Sequence, residues 1–139
     1  FGFTGAYAHV VLQQCADDAL DAGSEAGLCA VPLSGRTERA VRGTARVLAA
    51  HLRRGTSLAL AEVAYSLQVG RESFLWRTVL YASSVLDLVD QLETLSSGGA
   101  DPVVHCEAER RGAAVQPGEW RRAGAAWLSG HVVDWDALY

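Results

Sequence analysis

The sequence lacks methionine and lysine entirely. It has 139 residues with 12 basic side chains, all of them arginine, and 16 acidic side chains. A chain without an initiator methionine is expected to be a fragment of a longer protein. The formal net charge of −4 gives no indication of a nucleic-acid-binding surface.

Cysteine and long apolar runs are also scarce. Cys15, Cys29 and Cys106 are odd in number and form no C-x-x-C pair. This pattern argues against a disulfide framework and against a zinc site, so no metal and no other cofactor is expected. No apolar run approaches the roughly 18 residues that span a bilayer, and no signal-peptide pattern is present. We therefore expect a cytoplasmic protein that does not contact membranes.

Motifs for catalysis and phosphate binding are missing. The sequence has no G-x-S-x-G pentapeptide, no G-x-G-x-x-G and no P-loop. His51 lies in an arginine-rich segment and is expected to be solvated. His105 and Cys106 are adjacent on a predicted strand, so their side chains should point to opposite faces. The chain by itself is not expected to be an enzyme.

The residues that are present predict one small α+β domain. Half of them are hydrophobic and 20% are charged, as in a packed globular unit. Pro32 cannot donate a ladder hydrogen bond, which predicts an edge strand or a strand end there. The patterns predict a small sheet of about three strands packed against two to three helices, with a C-terminal helix and an aromatic strap. Strands are expected over 28–34, 77–82 and 103–106, helices over about 38–54, 58–68, 85–95 and 119–129, and a loop over 107–118.

The helix boundaries follow from capping residues. Thr37, Ser57 and Ser84 are candidate N-caps for the first three helices. Gly55 and Gly70 are candidate stops for the first two.

The first twelve residues read F-G-F-T-G-A-Y-A-H-V-V-L. They resemble the last stretch of polyketide ketosynthases, usually F-G-x-G-G-T-N-A-H-V-V-L-E. The resemblance implies that His9 is one of two histidines flanking a cysteine nucleophile, where an imidazole can donate to developing enolate charge. The nucleophile and the second histidine are not in this chain, and Tyr7 replaces the family's Asn. No catalytic residue is therefore assigned.

Residues 60–77 read L-A-E-V-A-Y-S-L-Q-V-G-R-E-S-F-L-W-R. This stretch is similar to the linker domain that follows polyketide ketosynthases. Its L-Q-V-G-R-E motif resembles that of polyketide synthases that lack their own acyltransferase. Arg71, Phe74 and Arg77 recur every third residue, and guanidinium groups suit carboxylates or carbonyls on a neighbour. With Arg42 and Arg46 of the first helix, they are the candidate partner-binding residues. The alternative is that these arginines only hold the domain against its ketosynthase or lie on solvated faces.

The C-terminal stretch W-L-S-G-H-V-V-D-W-D-A-L-Y resembles the linker that follows the acyltransferase in modular polyketide synthases. Trp127, Trp135 and Tyr139 are the expected anchors of a strap, because each buries a large area. The resemblances divide the chain into a ketosynthase tail and connection (1–27), a linker or docking domain (28–118) and a post-acyltransferase-linker-like strap (119–139).

Together the resemblances imply a non-catalytic docking domain of a modular type I polyketide synthase without its own acyltransferase. Such a domain would recruit or position a discrete, trans-acting malonyl-CoA acyltransferase so that the acyl carrier protein is loaded. The alternative is a structural adaptor that braces the ketosynthase in cis and spaces it from downstream domains. A third interpretation, a working part of a ketosynthase site, is disfavoured because the nucleophilic cysteine motif is absent. We expect the isolated fragment to be a monomer and the parent synthase a homodimer.

We predict that Trp135→Ala lowers the free energy of unfolding by roughly 3–5 kcal/mol, because truncating a buried anchor leaves a cavity. Thermal unfolding of the two proteins checks this. An unchanged melting temperature would contradict an anchoring role for Trp135.

Overall fold

The computed structural model describes residues 27–55, 58–99, 102–117 and 119–139. Within them, helices and strands share one small fold, which confirms the α+β class. In chain order the elements are β1 (Cys29–Gly35), α1 (Glu38–Arg53), α2 (Leu60–Val69), β2 (Trp76–Ala82), α3 (Val85–Ser96), β3 (Val104–His105), β4 (Arg110–Ala113), α4 (Trp120–Leu128), β5 (His131–Val133) and a 3-10 turn (Asp136–Leu138).

The main sheet has the strand order β1-β2-β3 and is antiparallel. Among the described strands, β1 lies at the edge of this sheet, as Pro32 predicts. The carbonyl oxygen of Ala30 accepts a hydrogen bond from Gln68, outside the sheet. Residues two apart on an antiparallel strand direct their backbone groups to the same side, so the nitrogen of Pro32 also faces away from β2. The proline therefore removes no bond from the ladder.

The prediction of a loop over 107–118 is wrong in part. Arg110–Ala113 forms β4, which pairs in parallel with β5 in a second, two-stranded sheet. β4 is almost wholly exposed and carries two arginines, so it lacks the alternation of apolar and polar residues that marks a strand. Its backbone pairing with β5 defines it.

The main sheet is covered on both faces. Val31, Leu33 and Leu80 pack into a core built with α1, α2 and α3. Ala30 and Val79 point the other way, into a second core built with α4 and the C-terminal residues. Strands buried on both faces read as continuous apolar runs, and this is how β1 and β2 appear in the sequence.

The start and end of α1 follow the sequence. The Oγ1 atom of Thr37 accepts a hydrogen bond from the backbone N–H of Ala40 at 3.1 Å. After the helix, Gly55 adopts a φ of +79°, which favours glycine. The buried residues of α1 are Val41, Ala45, Ala49 and Leu52, while Leu48 is only partly covered.

The other two caps differ in outcome. The hydroxyl of Ser84 accepts from the backbone N–H of Asp87 at 3.0 Å, which confirms this cap. The predicted cap Ser57 lies outside the described residues. α2 begins at Leu60 with Ala59 before it, and Glu62 supplies the first-turn acceptor for the Ala59 backbone N–H at 2.6 Å.

Helix α4 lies close against the main sheet because of a glycine. A Cβ atom added at Gly124 would lie 2.1 Å from the hydroxyl oxygen of Tyr81 and 3.2 Å from Cγ1 of Val79. Gly43, within α1, has nothing within 4 Å of the same position. An added methyl group would therefore clash with β2 at Gly124 but would fit without contact at Gly43.

We predict that Gly124→Ala lowers the free energy of unfolding by about 1–3 kcal/mol through overpacking, despite the higher helix propensity of alanine. Gly43→Ala is the matched control and should raise it by about 0.5–1 kcal/mol. Urea denaturation measures both. A stabilised Gly124→Ala protein would show that α4 can move away from the sheet without loss.

Candidate partner-binding site

Arg77, in β2, is almost completely buried, with a relative exposure of 1%. Its Nε donates to the carbonyl oxygen of Phe74 at 2.7 Å and its Nη1 to that of Trp127 at 2.9 Å. Its Nη2 donates to Oε1 of Glu109 at 2.9 Å. The guanidinium carbon lies 4.9 Å from the Trp127 ring centroid. One side chain thus joins the segment after α2, the end of α4 and the loop before β4.

These contacts correct the expectation that Arg77 binds a partner. Its spacing from Arg71 and Phe74 is three residues, as on a helix face. However, β2 begins at Trp76, and the two-residue period of a strand turns Arg77 into the interior. The predicted chemistry, a guanidinium on carbonyls and a carboxylate, is present, but its acceptors belong to the same domain.

Arg42 is partly committed in the same way. Its Nε and Nη2 donate to Oε1 of Glu38, and its Nη1 donates to the carbonyl oxygen of Leu95 at 2.7 Å. This arginine therefore ties α1 to the end of α3. Arg46, one turn further along α1, is exposed, and its side chain makes no hydrogen bond or ion pair with the described residues.

The C-terminal aromatics lie in the second core. Trp127 and Trp135 are buried, and their rings meet edge to face with centroids 6.4 Å apart. Tyr139 is half-buried and makes edge-to-face contacts with Tyr65 and Trp120, each at 5.2 Å. Burial raises the pKa of Tyr139 well above its usual value, so its hydroxyl remains a neutral hydrogen-bond donor.

Gln68 is the buried polar residue that sequence reasoning missed. Its Nε2 donates to the carbonyl oxygen of Ala30 at 2.7 Å, and its Oε1 accepts from the Tyr139 hydroxyl at 2.9 Å. It joins α2, the open edge of β1 and the C-terminus of the chain. The available signal was a lone amide beside the buried positions Val63 and Ala64 of one helix.

Arg71 and Phe74 lie at a cleft of about 410 Å³. Arg71 is exposed and Phe74 is partly buried, with the guanidinium carbon of Arg36 5.4 Å from the Phe74 ring centroid. The cleft is lined by residues of β1, α1, the end of α2, the loop that follows it and the strap: Pro32, Leu33, Ser34, Thr44, Leu67, Gln68, Gly70, Arg71, Glu72, Ser73, Phe74, Trp127 and Trp135.

The remaining candidates from the sequence are His9, His51 and the pair His105 and Cys106. His9 and Tyr7 lie outside the described residues. His51 is exposed, as expected. His105 is exposed whereas Cys106 is buried, and the Cys106 thiol donates to the carbonyl oxygen of Leu128 at 2.9 Å. Among the described residues there is no group of three metal-ligating side chains, and none of their helices is long and apolar enough to cross a bilayer.

Sequence comparison shows which known proteins this chain resembles. Residues 30–92 match the family described as CurL-like, PKS C-terminal, where PKS denotes polyketide synthase. Polyketide synthase GfsA of Streptomyces halstedii is 40% identical over 114 residues, covering 78% of this chain and 2% of that protein. The chain spans only 2–3% of the length of GfsA and of polyketide synthase PksL of Bacillus subtilis.

Solved structures contain the same fold. Ketosynthase twelve from the bacillaene polyketide synthase of Bacillus amyloliquefaciens is similar with a TM-score of 0.71 and 26% identity, over 86% of this chain and 22% of that one. The acyl transferase domain of SpnD is similar with a TM-score of 0.50 and 30% identity, over 67% of this chain and 24% of that one.

These matches show that the chain is similar to regions of polyketide synthases, one of which is a solved ketosynthase structure.

We predict that Arg77→Lys lowers the free energy of unfolding by about 2–4 kcal/mol, because one ammonium group cannot reach all three acceptors that the planar guanidinium fork of Arg77 contacts. The matched control, Arg46→Lys on the exposed face of α1, should change it by no more than about 0.5 kcal/mol. Urea denaturation compares the two. Equal stabilities would contradict a structural role for the Arg77 fork.

Proposed function

We propose that this region is a non-catalytic docking domain that recruits a discrete, trans-acting malonyl-CoA acyltransferase, so that the acyl carrier protein of its module is loaded. The observation that carries the proposal is the direct return of the strap to the sheet. Only residues 97–119 separate α3 from α4, and the described part of that segment contains just the short strands β3 and β4.

Both of these strands are tied to their neighbours. β3 pairs with β2 in the main sheet, and β4 pairs with β5 in the strap. The position that the resemblance assigns to a built-in acyltransferase is thus closed by a compact connection. An acyl donor would then have to be delivered by a separate protein, which gives the domain a reason to present a docking surface.

The exposed face of α1 supports docking through charge. Arg39 and Arg46 are exposed and make no side-chain ion pair or hydrogen bond with the described residues. Between them the small residue Gly43 leaves a shallow depression, which reaches Ser96 at the end of α3. Val47 is 65% exposed beside it. An acidic surface with one apolar side chain would complement this face.

A structural adaptor is the second candidate, and the internal arginines favour it. Two of the five residues expected at a partner, Arg77 and Arg42, donate hydrogen bonds to acceptors of this chain instead. A rigid body of this kind could brace a ketosynthase in cis without binding an acyltransferase.

Calorimetry of this chain with the discrete acyltransferase of its own biosynthetic system separates the two functions. Docking predicts a dissociation constant of about 100 μM or tighter, near −5.5 kcal/mol. Arg46→Glu should weaken binding by about tenfold, because it reverses a charge at the contact. Arg111→Glu, the same change on exposed β4 beside the strap, is the control. Absence of binding at millimolar concentrations would favour the adaptor.

A further inference from the structure

The cleft around Arg71 is preformed, because its wall is held by bonds to the body of the domain. The backbone N–H of Phe74 donates to Oγ of Ser34 at 3.0 Å, and the indole N–H of Trp127 donates to Oγ of Ser73 at 3.3 Å. At the start of this wall, the backbone N–H of Gly70 donates to the carbonyl oxygen of Ser66 at 3.1 Å, and a Cβ atom on Gly70 would lie 2.5 Å from the same oxygen, so this position requires glycine. A cavity of about 410 Å³ with such walls is within the size range of ligand sites.

Most polar groups in the cleft are already satisfied. Ser34 and Ser73 hold the wall, and both ends of the Gln68 amide are engaged. The charged side chains of Arg71 and Glu72 are exceptions, since neither makes a hydrogen bond or ion pair with the described residues. The lining therefore offers one free cation and one free carboxylate beside apolar and aromatic walls.

This pair of charges selects the ligand. A small anion would gain a bidentate contact with Arg71 but would be repelled by the neighbouring Glu72. A peptide segment carries both complements, a side-chain carboxylate for Arg71 and N–H donors for Glu72. Apolar side chains of the same segment would contact Leu67, Phe74 and the edges of the buried tryptophans.

The edge of β1 also limits how such a segment binds. Pro32 lines the cleft and has no N–H, so a strand added along β1 would lack a hydrogen bond there. Recognition must therefore use side chains inserted into the cleft and not a continuous backbone ladder.

We propose that the Arg71 cleft binds an acidic residue flanked by apolar residues in an exposed segment of the docking acyltransferase. The identity of the partner, an acyltransferase that carries the segment, rests on the proposed function. The ligand chemistry rests on the cleft alone.

The chemistry is tested by NMR titration of this chain with N-acetyl-Leu-Asp-Leu-amide. The indole N–H signal of Trp127, which lines the cleft, should shift saturably at millimolar probe, whereas that of Trp120, buried in the second core, should not. The isosteric N-acetyl-Leu-Asn-Leu-amide and acetate should bind at least about tenfold more weakly, since each lacks part of the complement. Arg71→Gln should weaken the aspartyl probe by about tenfold, while Arg46→Gln should leave it unchanged.

Three results would overturn the assignment of the cleft: equal binding of the aspartyl and asparaginyl probes, equal binding of acetate, or an Arg71→Gln protein that binds as the original does. Absence of a shift of the Trp127 signal at the highest soluble concentration of the aspartyl probe would also overturn this assignment.

The partner is tested separately by calorimetry of Arg71→Gln with the discrete acyltransferase. A weaker complex supports the acyltransferase as the source of the segment. An unchanged complex overturns that source while the docking function stands. If the acyltransferase binds neither protein although the aspartyl probe binds, the docking function and the source both fall, and the cleft remains a peptide site for another partner.

Discussion

The packing of the C-terminal strap depends on the buried guanidinium of Arg77. It connects three segments that are far apart in sequence: the carbonyl of Phe74, the carbonyl of Trp127 and the carboxylate of Glu109. A charged group in this position is stable only when its donors are satisfied, because desolvation alone costs several kcal/mol. The carbonyl of Trp127 must therefore lie within reach of Arg77, and this fixes the position of the strap. Trp127 and Trp135 of the strap line the Arg71 cleft, so the cleft depends on that position.

The ion pair with Glu109 is asymmetric, which matters for its role. The Arg77 side chain is 1% exposed, whereas the Glu109 side chain is 51% exposed. Most of the fixed geometry consequently comes from the two backbone carbonyls, while the carboxylate offsets the charge from the solvent side. The indole of Trp127 adds a cation–π contact over the same guanidinium. Arg77 and Trp127 thus hold each other in place, which links β2 to the strap. The L-Q-V-G-R-E segment is linked to the strap by Gln68, which accepts a hydrogen bond from Tyr139.

Much of this fold could be predicted from the sequence, because its signals are local. Thr37 and Ser84 cap helices where their side-chain oxygens predict caps, and the buried residues of α1 and α3 recur mostly every three or four positions, as on one helix face. β4 could not be predicted, since its pairing with β5 is non-local and its side chains are polar. The roles of Arg77 and Gln68 were missed for a related reason. A polar residue is assigned to a surface by default, and only the tertiary fold shows which acceptors can bury it.

The same reasoning narrows where a partner can bind. Of the five residues expected at a partner, Arg77 is internal, Arg42 is mostly committed to Glu38 and Leu95, and Phe74 forms a wall held by Ser34. Arg71 and Arg46 keep uncommitted charges, and they lie on different elements. Arg46 belongs to a shallow, exposed depression, which suits the charge-dependent approach of a large surface. Arg71 lies in a cleft with aromatic walls, which suits the insertion of a single side chain.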